Sequence, residues 1–118
     1  MITGSRSIAS RLVVYDVLNS VPWRISALIH GGARGVDKLS GTWAEDRGIP
    51  VEVFNANWSA GRGAGVDRNR LMLTSAQAVV AIWDGESRGT AHALRISLSS
   101  GKPVYCYLLT LNRAGRVA

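Results

Sequence analysis

Residues 25–37 read Ile25-Ser26-Ala27-Leu28-Ile29-His30-Gly31-Gly32-Ala33-Arg34-Gly35-Val36-Asp37. A short apolar run ends at His30, and Gly31, Gly32 and Gly35 follow at once. From Val36 the apolar residues Val36, Leu39 and Trp43 recur at helical spacing until Gly48, where a helix is expected to stop. Strand, glycine-rich turn and helix in that order make one unit of an α/β domain.

The same pattern recurs on both sides. Residues 49–54, 78–83 and 103–109 are further apolar runs, and 7–20, 66–76 and 90–100 carry helical periodicity. The run Ala78-Val79-Val80-Ala81-Ile82-Trp83 has no polar alternation, which suits a parallel sheet covered on both faces. The fold expected is a Rossmann-like, doubly wound parallel sheet in a single small domain over residues 1–110. A basic tail without ordered structure is expected over 111–118, carrying Arg113 and Arg116. The first strand has only Met1, Ile2 and Thr3 before Gly4, against about 5–6 residues in an ordinary strand. The expectation is that further residues, another segment or another chain completes it, and that the small core drives self-association into a homo-oligomer.

Composition narrows the function. The chain has 118 residues and a net charge of +6. Twelve of its 14 basic residues are arginines, whose flat fork of donors suits phosphate, and the positive charge favours anionic partners. There is no apolar run of about 18 residues to cross a membrane, and the opening residues lack the layout of a secretory signal, so a cytoplasmic protein is expected. The one cysteine, Cys106, lies in an apolar run and is read as a buried structural thiol. Two distant histidines and one cysteine offer no metal cluster, and no cofactor is implied.

In open α/β sheets ligands bind beyond the carboxyl ends of the strands, and four loops stand there. The first is Thr3-Gly4-Ser5-Arg6, where a glycine, a hydroxyl and a cation precede a helix. The second runs from His30 to Asp37. Gly31, Gly32, Ala33, Arg34 and Gly35 are read as an anion cradle rather than only a tight turn. Asp37 either caps the helix, orients a ligand hydroxyl, or does both, and His30 reads as a strand end rather than a base. The third runs from Trp58 to Asn69, with Arg62 and Arg68 as phosphate clamps, Asn69 beside them, and Trp58 either stacking on a base or filling a gap. The fourth, Asp84 to His92, offers Asp84, Gly85, Ser87, Gly89 and Thr90, with Thr90 a cap residue or a donor. His92 is read as facing solvent or a neighbouring loop. Phosphate is expected on backbone donors near Gly32, Gly35 and Gly89 with help from Arg68. Neither the Walker phosphate loop nor the dinucleotide fingerprint is present.

Taken in order, Ile2-Thr3-Gly4-Ser5-Arg6, His30 to Asp37, Trp58 to Met72 with Arg68-Asn69, and Asp84 to His92 with Gly89-Thr90 closely resemble the SLOG superfamily, in its YspA/YpsA-related branch, across roughly residues 2–108. The resemblance implies a Rossmann-like domain that binds or senses a nucleotide or nucleotide-derived ligand. Relatives include the Lonely Guy phosphoribohydrolases and the DNA-processing DprA proteins, so N-glycosidic hydrolysis and nucleic-acid binding stand as alternatives. In the hydrolase branch an arginine on the third-loop helix assists catalysis, and Arg68 occupies the matching place. The hydrolase glutamate after Gly-Thr is matched by Ala93, which favours binding over catalysis.

Overall fold

A computed structural model describes residues 1–109; the tail expected at 111–118 lies outside the described residues. The unbroken apolar run 78–83 becomes β4 (Val79–Trp83), with β1 (Ile2–Gly4) parallel on one side and β5 (Val104–Leu108) parallel on the other. A second parallel pair, β2 (Leu28–His30) and β3 (Val51–Val53), lies with β2 packed beside β1. The spatial order is therefore 3-2-1-4-5, with no hydrogen-bonded ladder between β2 and β1. The three-residue β1 pairs with β4 along its whole length, Ile2 opposite Val80 and Gly4 opposite Ile82.

Among the described residues four helices cover these strands: α1 (Arg11–Ser20), α2 (Val36–Asp46), α3 (Ala64–Ser75) and α4 (Arg88–Ser99). Side chains of successive strand residues point to opposite faces, and the chain uses both. Ile2, Val80, Ile82 and Leu28 bury against Val14, Val17 and Leu18 of α1 and Val36, Trp43 and Ala44 of α2. Met1 and Val79 bury against Met72 of α3, Ala76 and Ala93 of α4. Two apolar cores sandwich this layer of parallel strands, which is the Rossmann-like, doubly wound arrangement. Among the described residues no helix is long and apolar enough to cross a membrane.

Element ends follow local chemistry. α1 begins at Arg11 rather than near residue 7 because the Ser10 hydroxyl accepts the Val13 N–H at 3.3 Å, an N-cap. On α4 the buried positions Thr90, Ala93, Leu94 and Ser97 form one stripe, as a helix lying on a sheet requires. One expectation is corrected. Cys106 is exposed, not buried, because its apolar run forms the edge strand β5, whose residues 106–108 are all exposed while α4 packs over β4 and β1.

Candidate functional site

The loops after β1, β2, β3 and β4 meet at one end of the sheet and enclose a cleft of about 480 Å³, within the range of small-molecule sites. Of the residues expected there, Gly4, Arg6, Ala33, Asp37, Trp58, Arg62, Arg68, Asn69, Ser87, Gly89 and Thr90 line it. Ser5, Gly31, Gly32, Arg34, Gly35, Asp84 and Gly85 do not.

The second loop departs most from its expected role. Asp37, in the first turn of α2 and only 5% exposed, accepts the N–H groups of Gly31 and Ala33 through Oδ2, each at 3.1 Å. The Gly32 N–H donates to His30 Nδ1 at 2.9 Å. The N–H groups of Gly31, Gly32 and Ala33 are therefore spent inside the protein. Gly35 has φ +77°, and a Cβ there would lie 2.6 Å from the Arg6 carbonyl oxygen, so a tight turn and a close approach of two loops explain it. Burial raises the Asp37 carboxyl to about 6, against the pull of the Ala33 and Gly31 N–H groups and of Arg68 and Arg6. Burial likewise lowers the pKa of His30, which closes β2.

Arg68 ties the site together from α3. Its Nη1 donates to the Gly31 carbonyl at 2.7 Å and to the Phe54 carbonyl at 3.4 Å, closing the ends of β2 and β3. Its Nε donates to Asn69 Oδ1 at 3.0 Å. The buried Asn69 amide then donates to the Gly89 carbonyl at 3.4 Å and meets His92 Nδ1 at 3.3 Å, linking α3 to α4. Arg68 thus gives two of its three nitrogens to the protein, and burial lowers its pKa.

The fourth loop is held by Asp84. Its Oδ1 accepts the N–H groups of Glu86 and Ser87 at 2.8 Å, and its Oδ2 accepts the Ser7 hydroxyl at 2.8 Å. The buried Ser5 hydroxyl oxygen accepts the Asp84 N–H at 2.9 Å. Burial raises the Asp84 pKa, but the donors at Ser87, Glu86, Ser7 and Ser5 outweigh it and bring the carboxyl to about 2. Ser5 and Asp84 therefore fasten the loop, and Asp84 and Gly85 face a second cleft shared with Ser7 and Glu86. This fastening directs the start of α4, with Gly89 in open space, toward the first cleft.

The cleft is strongly cationic. Arg6, Arg62, Arg68 and Arg88 line it, and among the described residues Asp37 is its one carboxylate. Among the described residues, neither Arg6, Arg62 nor Arg88 donates a side-chain hydrogen bond to the protein, and all three are exposed. Trp58, 61% exposed, stands at the rim with its ring against Gly65.

The profile of the YAcAr family, described as the YspA, cpYpsA-related SLOG family, matches residues 1–61. The chain belongs to this family. A Gene 61 protein of Mycobacterium phage D29 is 35% identical over 115 residues, covering 88% of this chain and 91% of that protein. No solved structure matches. At the coarse level of this SLOG family, membership points to a nucleotide-related ligand.

Ala93, which the resemblance sets against the hydrolase glutamate, is a fully buried core residue of α4 and does not line the cleft. Sequence reasoning did not count Arg88 among the site residues and read His92 as facing solvent or a neighbouring loop, whereas both line the cleft. A signal was present for each. Arg88 lies inside the fourth loop, and His92 stands two residues beyond Thr90 in the first turns of α4.

Proposed function

We propose that the cleft binds a phosphate-bearing nucleotide or nucleotide-derived ligand, and that the domain acts as a binding or sensing module. The observation that carries this reading is the convergence of four guanidinium groups and the start of α4 on a cavity with one carboxylate. The first N–H groups of a helix have no partner within it and attract anions. At α4 these belong to Arg88, Gly89 and Thr90. The Ser87 side chain does not cap them. The exposed indole of Trp58 supports a planar base at the rim, since a large apolar face left open beside cations suits stacking.

Calorimetric titration with AMP, GMP, CMP and UMP, and with inorganic phosphate as control, tests the reading. Saturable binding of at least one nucleotide, weakened in the Arg6→Ala/Arg88→Ala double variant, is expected. A folded protein that binds none of them refutes it. One observation favours a second reading, N-glycosidic hydrolysis: Asp37 is a cleft carboxylate raised to about 6, the kind of group that serves acid–base chemistry. Chromatography for free base after incubation with the same nucleotides separates the two readings, and no turnover is expected.

A further inference from the structure

His92 lines the cleft from α4, and the bonds behind it determine which of its nitrogens carries the proton. A guanidinium nitrogen only donates. Arg68 Nε lies 3.0 Å from one terminal atom of Asn69, so that atom is the amide oxygen. The other terminal atom is then the NH2 group, which fits its 3.4 Å contact with the Gly89 carbonyl. An amide NH2 also only donates, and it meets His92 Nδ1 at 3.3 Å. Nδ1 must therefore present its lone pair. A neutral imidazole with an acceptor at Nδ1 carries its proton at Nε2. Protonating Nδ1 would set two donors against each other, and burial, with Arg95 on the same helix and Arg70 on α3, also disfavours the charged ring. Arg68 is fixed in turn by the Gly31 carbonyl, so the chain of bonds runs from the end of β2 to the imidazole.

We infer that His92 is a ligand-contacting residue of the cleft, held by the Arg68–Asn69 chain as the neutral Nε2–H tautomer so that it donates to the phosphate bound at the start of α4. The inference rests on the ligand reading proposed above. It adds a neutral, directional donor to a site whose other side-chain donors toward an anion are mostly charged guanidinium groups. The arginines supply attraction at long range, whereas one oriented N–H selects where an oxygen comes to rest.

Two measurements test it. In the ligand-free full-length protein labelled with nitrogen-15, long-range proton–nitrogen correlation reports the tautomer of each histidine, and His92→Gln assigns the two. Nε2–H at His92 is expected near neutral pH, and Nδ1–H or an imidazolium there overturns the inference. The second measurement compares nucleotide affinities of His92→Asn and His92→Gln. The asparagine amide reaches only the Nδ1 position, so it keeps the Asn69 contact and loses the cleft donor. The glutamine amide reaches the Nε2 position and keeps a donor there. His92→Asn is expected to bind AMP, GMP, CMP or UMP, whichever the wild type prefers, about ten-fold or more weakly, as for a lost hydrogen bond to a charged group. His92→Gln should retain most of the affinity. A purely structural role gives the reverse order and overturns the inference. Failure of the wild type to bind any of the four refutes the ligand reading itself, whereas wild-type binding with an unweakened His92→Asn removes His92 alone.

Discussion

Replacing Asp37 with asparagine deletes a buried charge while keeping an oxygen able to accept the Gly31 and Ala33 N–H groups. The structure sets the size of the effect. Burial is the largest influence on this carboxyl and raises it from 3.8 to about 6, against the two N–H groups and the distant Arg68 and Arg6. At 1.36 kcal/mol per unit, a rise of roughly two units means that the ionised form costs the fold about 3 kcal/mol. The folded state holds this proton more tightly than the unfolded chain. The contribution of Asp37 is therefore fully favourable below about pH 4 and is lost as pH rises through about 6. His30 acts in the opposite sense nearby, because its lowered pKa costs stability as pH falls. It is present in both proteins and cancels in the difference between them. Urea denaturation followed by tryptophan fluorescence between about pH 4 and pH 8 should show Asp37→Asn more stable than wild type by up to about 3 kcal/mol at the upper end, with the gap closing toward pH 4. A gap that does not vary with pH, or a variant less stable than wild type near pH 7.5, would refute the reasoning, because the two N–H bonds would then outweigh the cost of burying the charge.

Gly4→Ala should destabilise the fold by about 1–3 kcal/mol, as overpacking does, because its Cβ would lie 2.5 Å from Val36 Cβ and 2.6 Å from the Ile82 carbonyl oxygen; a shifted urea midpoint measures this. Arg68→Ala leaves the Gly31 carbonyl and the Asn69 oxygen without their donor, and thermal unfolding should register a loss of about 1–3 kcal/mol. Trp58→Ala should change stability by no more than about 0.5 kcal/mol, as is usual at exposed sites, while removing most of the tryptophan quenching produced by a bound nucleoside monophosphate.

The sheet was legible where burial is uniform. Residues 78–83 announce a central strand because both of its faces are covered, and β4 occupies 79–83. Residues 103–109 are nearly as apolar, yet hydropathy carries no information about sheet order, and their strand lies at the edge with Cys106 exposed. The run 25–30 gives only a three-residue strand, since β2 pairs with β3 over Leu28–His30 and has no ladder with β1. The cleft was legible as four loops at strand ends. The division of labour inside those loops was not, because it depends on partners far apart in sequence. Ser5 finds Asp84, Arg68 finds Gly31, and Asn69 finds His92. No local pattern records which N–H groups are already used.

That use of donors bears on how an anion would be held. A phosphate on the Gly31–Ala33 backbone would have to displace the Asp37 carboxylate from two N–H groups and leave a buried charge beside an incoming one. At the start of α4 no such competitor stands among the described residues, because Asp84 occupies the preceding N–H groups at Glu86 and Ser87 from outside the first cleft. On the binding reading the phosphate therefore belongs at α4 with Arg6 and Arg88, not in the glycine-rich loop. Asp37 then keeps one oxygen, Oδ1, that accepts no hydrogen bond among the described residues, in a wall facing the same cleft. On the same reading, that oxygen is the part of Asp37 open to a ligand hydroxyl, while Oδ2 serves the backbone. A sugar hydroxyl beside a phosphate is what a nucleotide presents, so the costly carboxylate and the cationic helix start fit two parts of one molecule.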